Sequence, residues 1–308
     1  MSSSTTTNNT PGFNVKASDW DKTSGSYTQL ASKGSPMSIP ITRLVEMLHT
    51  SSPFDSATTI LDIGCGPGSA TAQLISTHHT AIPASTQLLA TDFSSGMVNV
   101  TSQVRASKLE ALQEGTEKST WARVVPLVLD ATDLRPLLTE SISHIIANFV
   151  LFMTEDPAKA LEEAHRVLKS DGVAACSSWS RMDWIENLAL AASRTFPTLG
   201  KALPQLPMMP AQWTSVEGVR DLFTDAGFRD IHTEYVEAPM VLPSVEGFAH
   251  QFLTSGNPAV TWVTDVLDET EVDQLEKQLV QVIKEKCEAN DKGGHILNGT
   301  AVLASGRK

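Results

Sequence analysis

Nine residues constrain this chain more than any others: Ile60-Leu61-Asp62-Ile63-Gly64-Cys65-Gly66-Pro67-Gly68. The apolar run that ends at Ile63 has the character of a buried strand, and Ala70, Leu74 and Ile75 behind it fall at helical spacing. Three alternating glycines stand between. Glycine lets the main chain approach a ligand where a side chain would intrude. A helix opening after the turn offers unpaired N–H groups. The segment therefore predicts a strand-turn-helix unit whose turn binds something. A dinucleotide fingerprint, Gly-x-Gly-x-x-Gly, is the rival. Counted from Gly64, its last glycine would fall at Ser69; here the third glycine comes one place early, at Gly68. Asp62, two residues before the first glycine, would also face a pyrophosphate of its own sign. A carboxylate there suits a ligand with a cationic end.

The alternation continues. Residues 88–91, 124–129 and 142–147 predict three further strands, with Met97, Val104 and Leu112 on an intervening helix. Asp156 as a cap, Pro157 in the first turn and Ala160, Leu161, Ala164, Val167 and Leu168 on one face predict a helix that Gly172 ends, before a fifth strand over 173–177. Thr214 and Glu217 have capping-box spacing ahead of Val219, Leu222, Phe223 and Ala226. Strands six and seven are expected over 231–236 and 296–304, and a short helix around 20–30. This pattern is that of an α/β fold, a mostly parallel sheet with helices on both faces. Residues 1–14, rich in Ser, Thr and Asn, read as a disordered tail, and 15–308 as a single domain. Two stretches break the rhythm. Residues 179–213 are rich in Pro, Met and Trp; residues 239–294 are largely helical, with Val272, Leu275, Leu279, Val282 and Ile283 on one stripe.

Lys and Arg total 23 against 35 Asp and Glu in 308 residues, a net charge of −12, with no Lys/Arg cluster. Phosphate contacts need clustered cations, so neither nucleic acid nor an anionic membrane surface is expected as a partner. The longest apolar stretch, 145–153, falls short of the roughly 20 residues of a spanning helix. The first residues lack the apolar core of a secretory signal. Cys65, Cys176 and Cys287 are widely spaced, without metal-ligand spacing, and read as reduced thiols of a cytoplasmic protein.

With these motifs in order, the chain resembles the class I S-adenosylmethionine-dependent methyltransferases over roughly residues 40–235, with a weaker tail to the last strand. Asp62-Ile63-Gly64-Cys65-Gly66-Pro67-Gly68 is similar to that family's first motif and implies that Asp62, Gly64, Cys65, Gly66 and Gly68 surround the cofactor. Ala90-Thr91-Asp92-Phe93-Ser94-Ser95-Gly96-Met97 resembles the ribose-binding strand end, with Asp92 accepting from both hydroxyls and Phe93 and Met97 beside it. Leu129-Asp130-Ala131 is similar to the stretch that faces the adenine amino group. Ala147-Asn148-Phe149-Val150-Leu151 resembles the motif beneath the methionine end. Trp20 and Tyr27 resemble N-terminal lid residues. The resemblance implies a Rossmann-like class I fold with seven strands, a partly helical lid in the two irregular stretches, S-adenosylmethionine as cofactor and S-adenosylhomocysteine as product. On the residues alone, Asp92 also fits a helix cap, Asp130 a turn cap, and Asn148 a backbone partner at a strand end. Two other functions stay open at this point: a protein of the same fold that keeps the cofactor for a different reaction, and an NAD-dependent oxidoreductase.

Methyl transfer is an in-line displacement in which positioning supplies up to roughly 7–11 kcal/mol, so a strong base is not required. None is evident. His144 and His165 read as structural and His78-His79 as an exposed helix end; His250, in Gly247-Phe248-Ala249-His250-Gln251-Phe252, is the best pocket histidine. Phe152, Trp179, Met208, Trp213, Phe248 and Phe252 supply the aromatic and thioether surface that suits an apolar small-molecule acceptor. No paired acidic metal site is visible, and Asn148-Phe149-Val150 lacks the Pro-Pro of amino-methylating DNA enzymes. The resemblance is to the ubiquinone-biosynthesis-like subgroup and to natural-product methyltransferases, and it implies methyl transfer to oxygen, sulfur or nitrogen of an apolar small molecule in secondary metabolism.

Overall fold

A computed structural model describes residues 15–30 (side chains to 25), 35–207, 209–288 and 294–308; the expectations placed on residues 1–14, on the Tyr27 side chain and on Met208 lie outside them. Helices α1 (Ala17–Leu30) and α2 (Ser38–Ser51) precede the first strand, β1 (Thr59–Ile63). The alternation then runs α3 (Ser69–His78), β2 (Gln87–Asp92), α4 (Ser95–Ala111), α5 (Thr116–Ala122), β3 (Val124–Val128), β4 (Ile142–Asn148), α6 (Pro157–Val167) and β5 (Leu168–Met182). After α7 (Asp183–Thr195) come α8 (Val216–Asp225), β6 (Arg229–Glu237), β7 (Met240–Leu242), α9 (Val245–Thr254), α10 (Pro258–Thr264), α11 (Glu269–Lys286), β8 (His295–Leu297) and β9 (Gly299–Arg307).

Seven strands form one sheet in the order β3-β2-β1-β4-β5-β9-β6. Every neighbouring pair is parallel except those made by β9, which runs antiparallel to β5 and to β6. Successive residues of β1, β4, β5 and β9 are buried without alternation, as strands covered on both faces require. From β1 the chain winds outward through β2 to β3, then returns to the other side of β1 as β4. That reversal leaves a crevice at the carboxyl ends of β1 and β4, where open α/β sheets bind ligands.

Three expectations need correction. The helix expected to end at Gly172 stops at Val167, and β5 begins at once. Its register shifts against β4: Leu168 pairs with Ile142 and Val173 with His144, while Asp171 between them takes φ +66°. Gly172 belongs to this bulge, where a Cβ would stand 2.9 Å from Lys169 O. The cap of α8 is Ser215, whose hydroxyl accepts from Gly218 N at 3.1 Å; Thr214 instead donates to Ala211 O in a preceding 3-10 turn. The seventh strand divides at Asn298, so that β8 pairs with β7 in a separate two-stranded ribbon.

The two irregular stretches fold together. α7 packs on α11, and α9 packs on α11 and α10. α11 starts at a reciprocal capping box, Asp268 Oδ1 accepting from Glu271 N and Glu271 Oε2 from Asp268 N. Its buried stripe is Leu275, Leu279, Val282 and Ile283. Burying four such side chains contributes about 6–12 kcal/mol gross to holding these helices together.

Candidate active site

The crevice holds a cavity of about 450 Å³. Its floor is the turn after β1. Gly64, Gly66 and Gly68 take φ of +62°, +53° and +86°, each in the left-handed region. They do different work. A Cβ on Gly64 would collide with the Val150 side chain, and one on Gly68, the N-cap of α3, would crowd Thr101. A Cβ on Gly66 would meet nothing within 4 Å and would project into open space.

Asp62, the next-to-last residue of β1, lies beneath that turn and is 3% exposed. Its Oδ2 accepts from Thr71 N at 3.1 Å and Thr71 Oγ1 at 2.6 Å, both in the first turns of α3. Its Oδ1 is buried and has no partner, though Asp62 lines the cavity. Burial, only partly offset by the two Thr71 bonds, pushes the carboxyl up to about 7. An aspartate so placed lacks a cationic or donor group at Oδ1.

Asp92, at the end of β2, also lines the cavity, and burial raises its pKa. Its Oδ2 accepts from Gly66 N at 2.9 Å and its Oδ1 from Ser94 N at 2.9 Å. It therefore braces the glycine turn; each oxygen keeps a second lone pair for a ligand. Phe93, Met97, Ala131 and Cys65 complete this wall. Burial holds the Cys65 thiol far above its ordinary pKa, so it is a neutral packing group. Asp130 lines the cavity while its Oδ1 accepts from Thr132 N and Thr132 Oγ1, both at 2.8 Å. The turn-cap role and the cavity position thus coexist.

Opposite, Asn148 ends β4 and Phe149 follows it. Phe149 adopts φ +53°, costly for a non-glycine residue. Ser177 of β5 holds it there, accepting from Phe149 N at 2.9 Å and donating to Asn148 Oδ1 at 2.9 Å. So held, the Phe149 ring stacks on Trp179, centroids 4.1 Å apart and planes 9° apart. Phe149 thereby forms a partition with a second, smaller cavity of about 270 Å³. Trp20, Met37, Phe149 and Met153 line both. The second is walled by Phe152, Trp179, Trp184, Phe248 and Phe252, the last two stacked at 5.2 Å. Arg181 and Glu186 are its charged lining residues among those described.

The structure thus gathers Asp62, Gly64, Cys65, Gly66, Asp92, Phe93, Met97, Asp130, Ala131, Asn148, Phe149 and Trp20 around the first cavity, and Phe152, Trp179, Phe248 and Phe252 around the second. Three expected site residues are elsewhere. Gly68 shapes the start of α3 without lining the cavity. Trp213 is fully buried core, its carbonyl accepting from Ser178 Oγ at 2.6 Å. His250 lies on the outer face of α9, its side chain 68% exposed and its Nδ1 3.0 Å from Glu276 Oε2; it lines neither cavity. His144 is structural, bonded to Ser52 O and Ser143 Oγ, with burial lowering its pKa to about 4. Sequence reasoning missed Ser177, Met37 and Met153, which no motif marks. Among the described residues no group of three or more His, Cys, Asp or Glu is placed to hold a metal ion, and no helix is long and apolar enough to cross a membrane.

Comparison with known proteins joins this geometry to a chemistry. A family profile described as a methyltransferase domain matches residues 61–176, the stretch from the glycine turn through β5. Methyltransferase ucsB of an Acremonium species is 30% identical over 291 residues, covering 94% of this chain and 95% of its own. The YcgJ protein of Bacillus subtilis shares the fold at a TM-score of 0.53 and 16% identity, over 86% of this chain and 98% of that one. Phosphoethanolamine N-methyltransferase 2 of Haemonchus contortus, solved with S-adenosylhomocysteine, shares it at 0.51 and 17%, over 96% of this chain and 60% of that one. The chain belongs to the S-adenosylmethionine-dependent methyltransferases, and S-adenosylmethionine is its cofactor.

Proposed function

We propose that the first cavity holds S-adenosylmethionine and the second its acceptor, an apolar small molecule methylated on oxygen, sulfur or nitrogen in secondary metabolism. The observation that carries this reading is the shared wall. A chamber with an unpartnered buried carboxylate meets an aromatic chamber at Trp20, Met37, Phe149 and Met153. The residues present fit the cofactor. Asp62 Oδ1 would take its α-ammonium, and the open face of Gly66 would admit its chain. Asp92 would accept from the ribose hydroxyls, Asp130 and Ala131 would face the adenine, and Asn148 and Phe149 would lie under the methionine end.

When bound, the cofactor supplies a methyl group on a sulfonium, already activated for displacement. The chain's part is to bind, align and exclude water. Ser177 fixes Phe149, and Phe149 with Trp179 sets the wall along which the acceptor approaches. The body of α7, α9, α10 and α11 acts as the lid. No histidine lines the second chamber among the described residues, which favours an acceptor that needs little deprotonation. Its aromatic lining favours a hydrophobic natural product over a charged primary metabolite. Three free cysteines fit a reducing compartment, and we place the enzyme in the cytoplasm.

The test is S-adenosylhomocysteine production from S-adenosylmethionine across a panel of apolar phenols, thiols and amines, with the methylated product identified by mass. Turnover on one of them is the expected result. Stabilisation by S-adenosylhomocysteine with no methylated product from any acceptor, co-purified metabolites included, would favour a protein that keeps the cofactor for another reaction.

A further inference from the structure

α1 reaches the candidate site from outside the sheet's alternation, and one side chain fastens it there. Asp21 sits beside Trp20 on α1, and its Oδ1 accepts from Ser94 Oγ at 2.7 Å and from Gly96 N at 2.8 Å. Ser94 is the N-cap of α4, its hydroxyl oxygen accepting in turn from Met97 N at 3.1 Å. The two backbones come into contact at this point: a Cβ on Gly96 would stand 2.9 Å from Asp21 Cα. The Ser94 hydroxyl, then the Gly96 N–H, hold the Asp21 carboxyl below the usual aspartate range. The contact is therefore charge-assisted.

It does not stop at α4. Ser94 N donates to Asp92 Oδ1 at 2.9 Å, and Asp92 Oδ2 accepts from Gly66 N at 2.9 Å. Asp21, Ser94, Asp92 and Gly66 thus form an unbroken run of hydrogen bonds from the outer helix to the glycine turn. Val15, Lys16, Ala17 and Trp20 line the first cavity, so the segment that Asp21 anchors is one of its walls. Asp21 itself lines neither cavity.

We propose that Asp21 is a latch, a positioning residue that holds α1 and Trp20 over the first chamber and sets how fast its occupant leaves. This rests on the reading that the chamber holds S-adenosylmethionine. While the latch is made, the cofactor or its product is covered from the α1 side. Trp20 also lines the second chamber, so the same contact sets the wall between donor and acceptor.

The experiment uses the full chain as wild type, Asp21→Ala, Asp21→Asn and Gly96→Ala, with Gly66→Val as control. It reads the S-adenosylhomocysteine dissociation rate, hydrogen exchange over residues 17–25 and the thermal midpoint. Asp21→Ala should release the product about tenfold faster and speed exchange in α1, with the thermal midpoint unmoved. Asp21→Asn keeps an acceptor oxygen for Ser94 and Gly96 and should recover most of the loss. Gly96→Ala leaves the carboxylate intact but separates the backbones, and should reproduce it. Wild-type release rates in both Asp21→Ala and Gly96→Ala would overturn the latch, as would faster release with α1 exchange unchanged. Failure of the parent reading looks different: S-adenosylhomocysteine would not bind the wild type, or would bind Gly66→Val equally tightly, and the latch would fall with it.

Discussion

Replacing Asp62 by Asn should stabilise the free protein while weakening cofactor binding, and the size of the first effect follows from burial. With one oxygen bonded to Thr71 and the other unpartnered, the carboxyl is pushed up to about 7 from an ordinary 3.8. A raised folded-state pKa means that the folded protein binds more protons than the unfolded chain between those two values. Stability therefore falls as pH rises through that window, and the loss is complete above about 7. At about 1.4 kcal/mol per tenfold change in proton affinity, the raised pKa costs roughly 4 kcal/mol at pH 8, where the buried group is ionised, and about 1–2 kcal/mol at pH 5, where only the unfolded chain has ionised. Asparagine retains an oxygen for Thr71 and carries no charge, so it escapes this penalty. Urea unfolding of the free proteins should show Asp62→Asn gaining about 2–3 kcal/mol on wild type between pH 5 and pH 8. Asp92 is raised by the same burial, but it is present in both proteins and largely cancels. Product binding should invert the order: S-adenosylhomocysteine affinity of the wild type rises from pH 6 to pH 8 as Asp62 ionises, and the variant loses both affinity and slope. A stability difference that stays flat with pH, or a variant that binds with wild-type affinity, would show that the unpartnered oxygen does not await a cation.

Other substitutions separate the parts of the site. Gly66→Val puts a β-branched side chain at φ +53° into space otherwise open, and calorimetry should show S-adenosylhomocysteine affinity reduced about 100-fold or more in a soluble protein. Phe248→Ala removes one ring of the stacked pair in the second chamber, and turnover of the identified acceptor should fall about tenfold with cofactor affinity within twofold. Phe252→Ala is the poorer probe, since that ring is nearly buried and its loss costs about 3–5 kcal/mol of stability. His250→Ala should leave turnover within about twofold, because the imidazole faces solvent and Glu276; a large loss would return it to the mechanism.

The cofactor half of this site is legible in the sequence because backbone geometry decides it. Left-handed positions at Gly64, Gly66 and Gly68 exclude most side chains, and Asp62 and Asp92 fall near the carboxyl ends of strands that prove to be neighbours. Where a glycine has two plausible jobs, the same signal misleads. Gly172 reads as a helix stop, yet it serves a bulge inside β5 that only the pairing with β4 reveals. Asp21 and Ser177 carry no local mark at all. Their partners lie 73 and 28 residues away, at Ser94 and Phe149, and only the folded sheet and the docked α1 bring them together.

The second chamber, which we propose takes the acceptor, is harder for a different reason: aromatic residues fit a core and a cavity equally well. Trp179 and Trp213 come from the same irregular stretch, and packing alone puts one in the chamber wall and the other out of reach. Helix phase could have decided His250. Residues two apart on an α-helix point about 160° away from each other, while residues four apart nearly align. Phe248 and Phe252 therefore share a face that His250, two places from each, cannot share. Once those phenylalanines are assigned to an apolar chamber, the histidine between them is directed to the opposite side, where it meets Glu276. A general base acting in the proposed acceptor chamber must come from a residue in phase with its wall. Among the described lining residues of the second cavity that leaves Glu186 as the one carboxylate, and Glu186→Gln, assayed across pH on the identified acceptor, distinguishes base catalysis from alignment alone. Loss of an acidic limb in the pH profile, with turnover down about 100-fold, would assign it the proton; an unchanged profile leaves methyl transfer here to positioning.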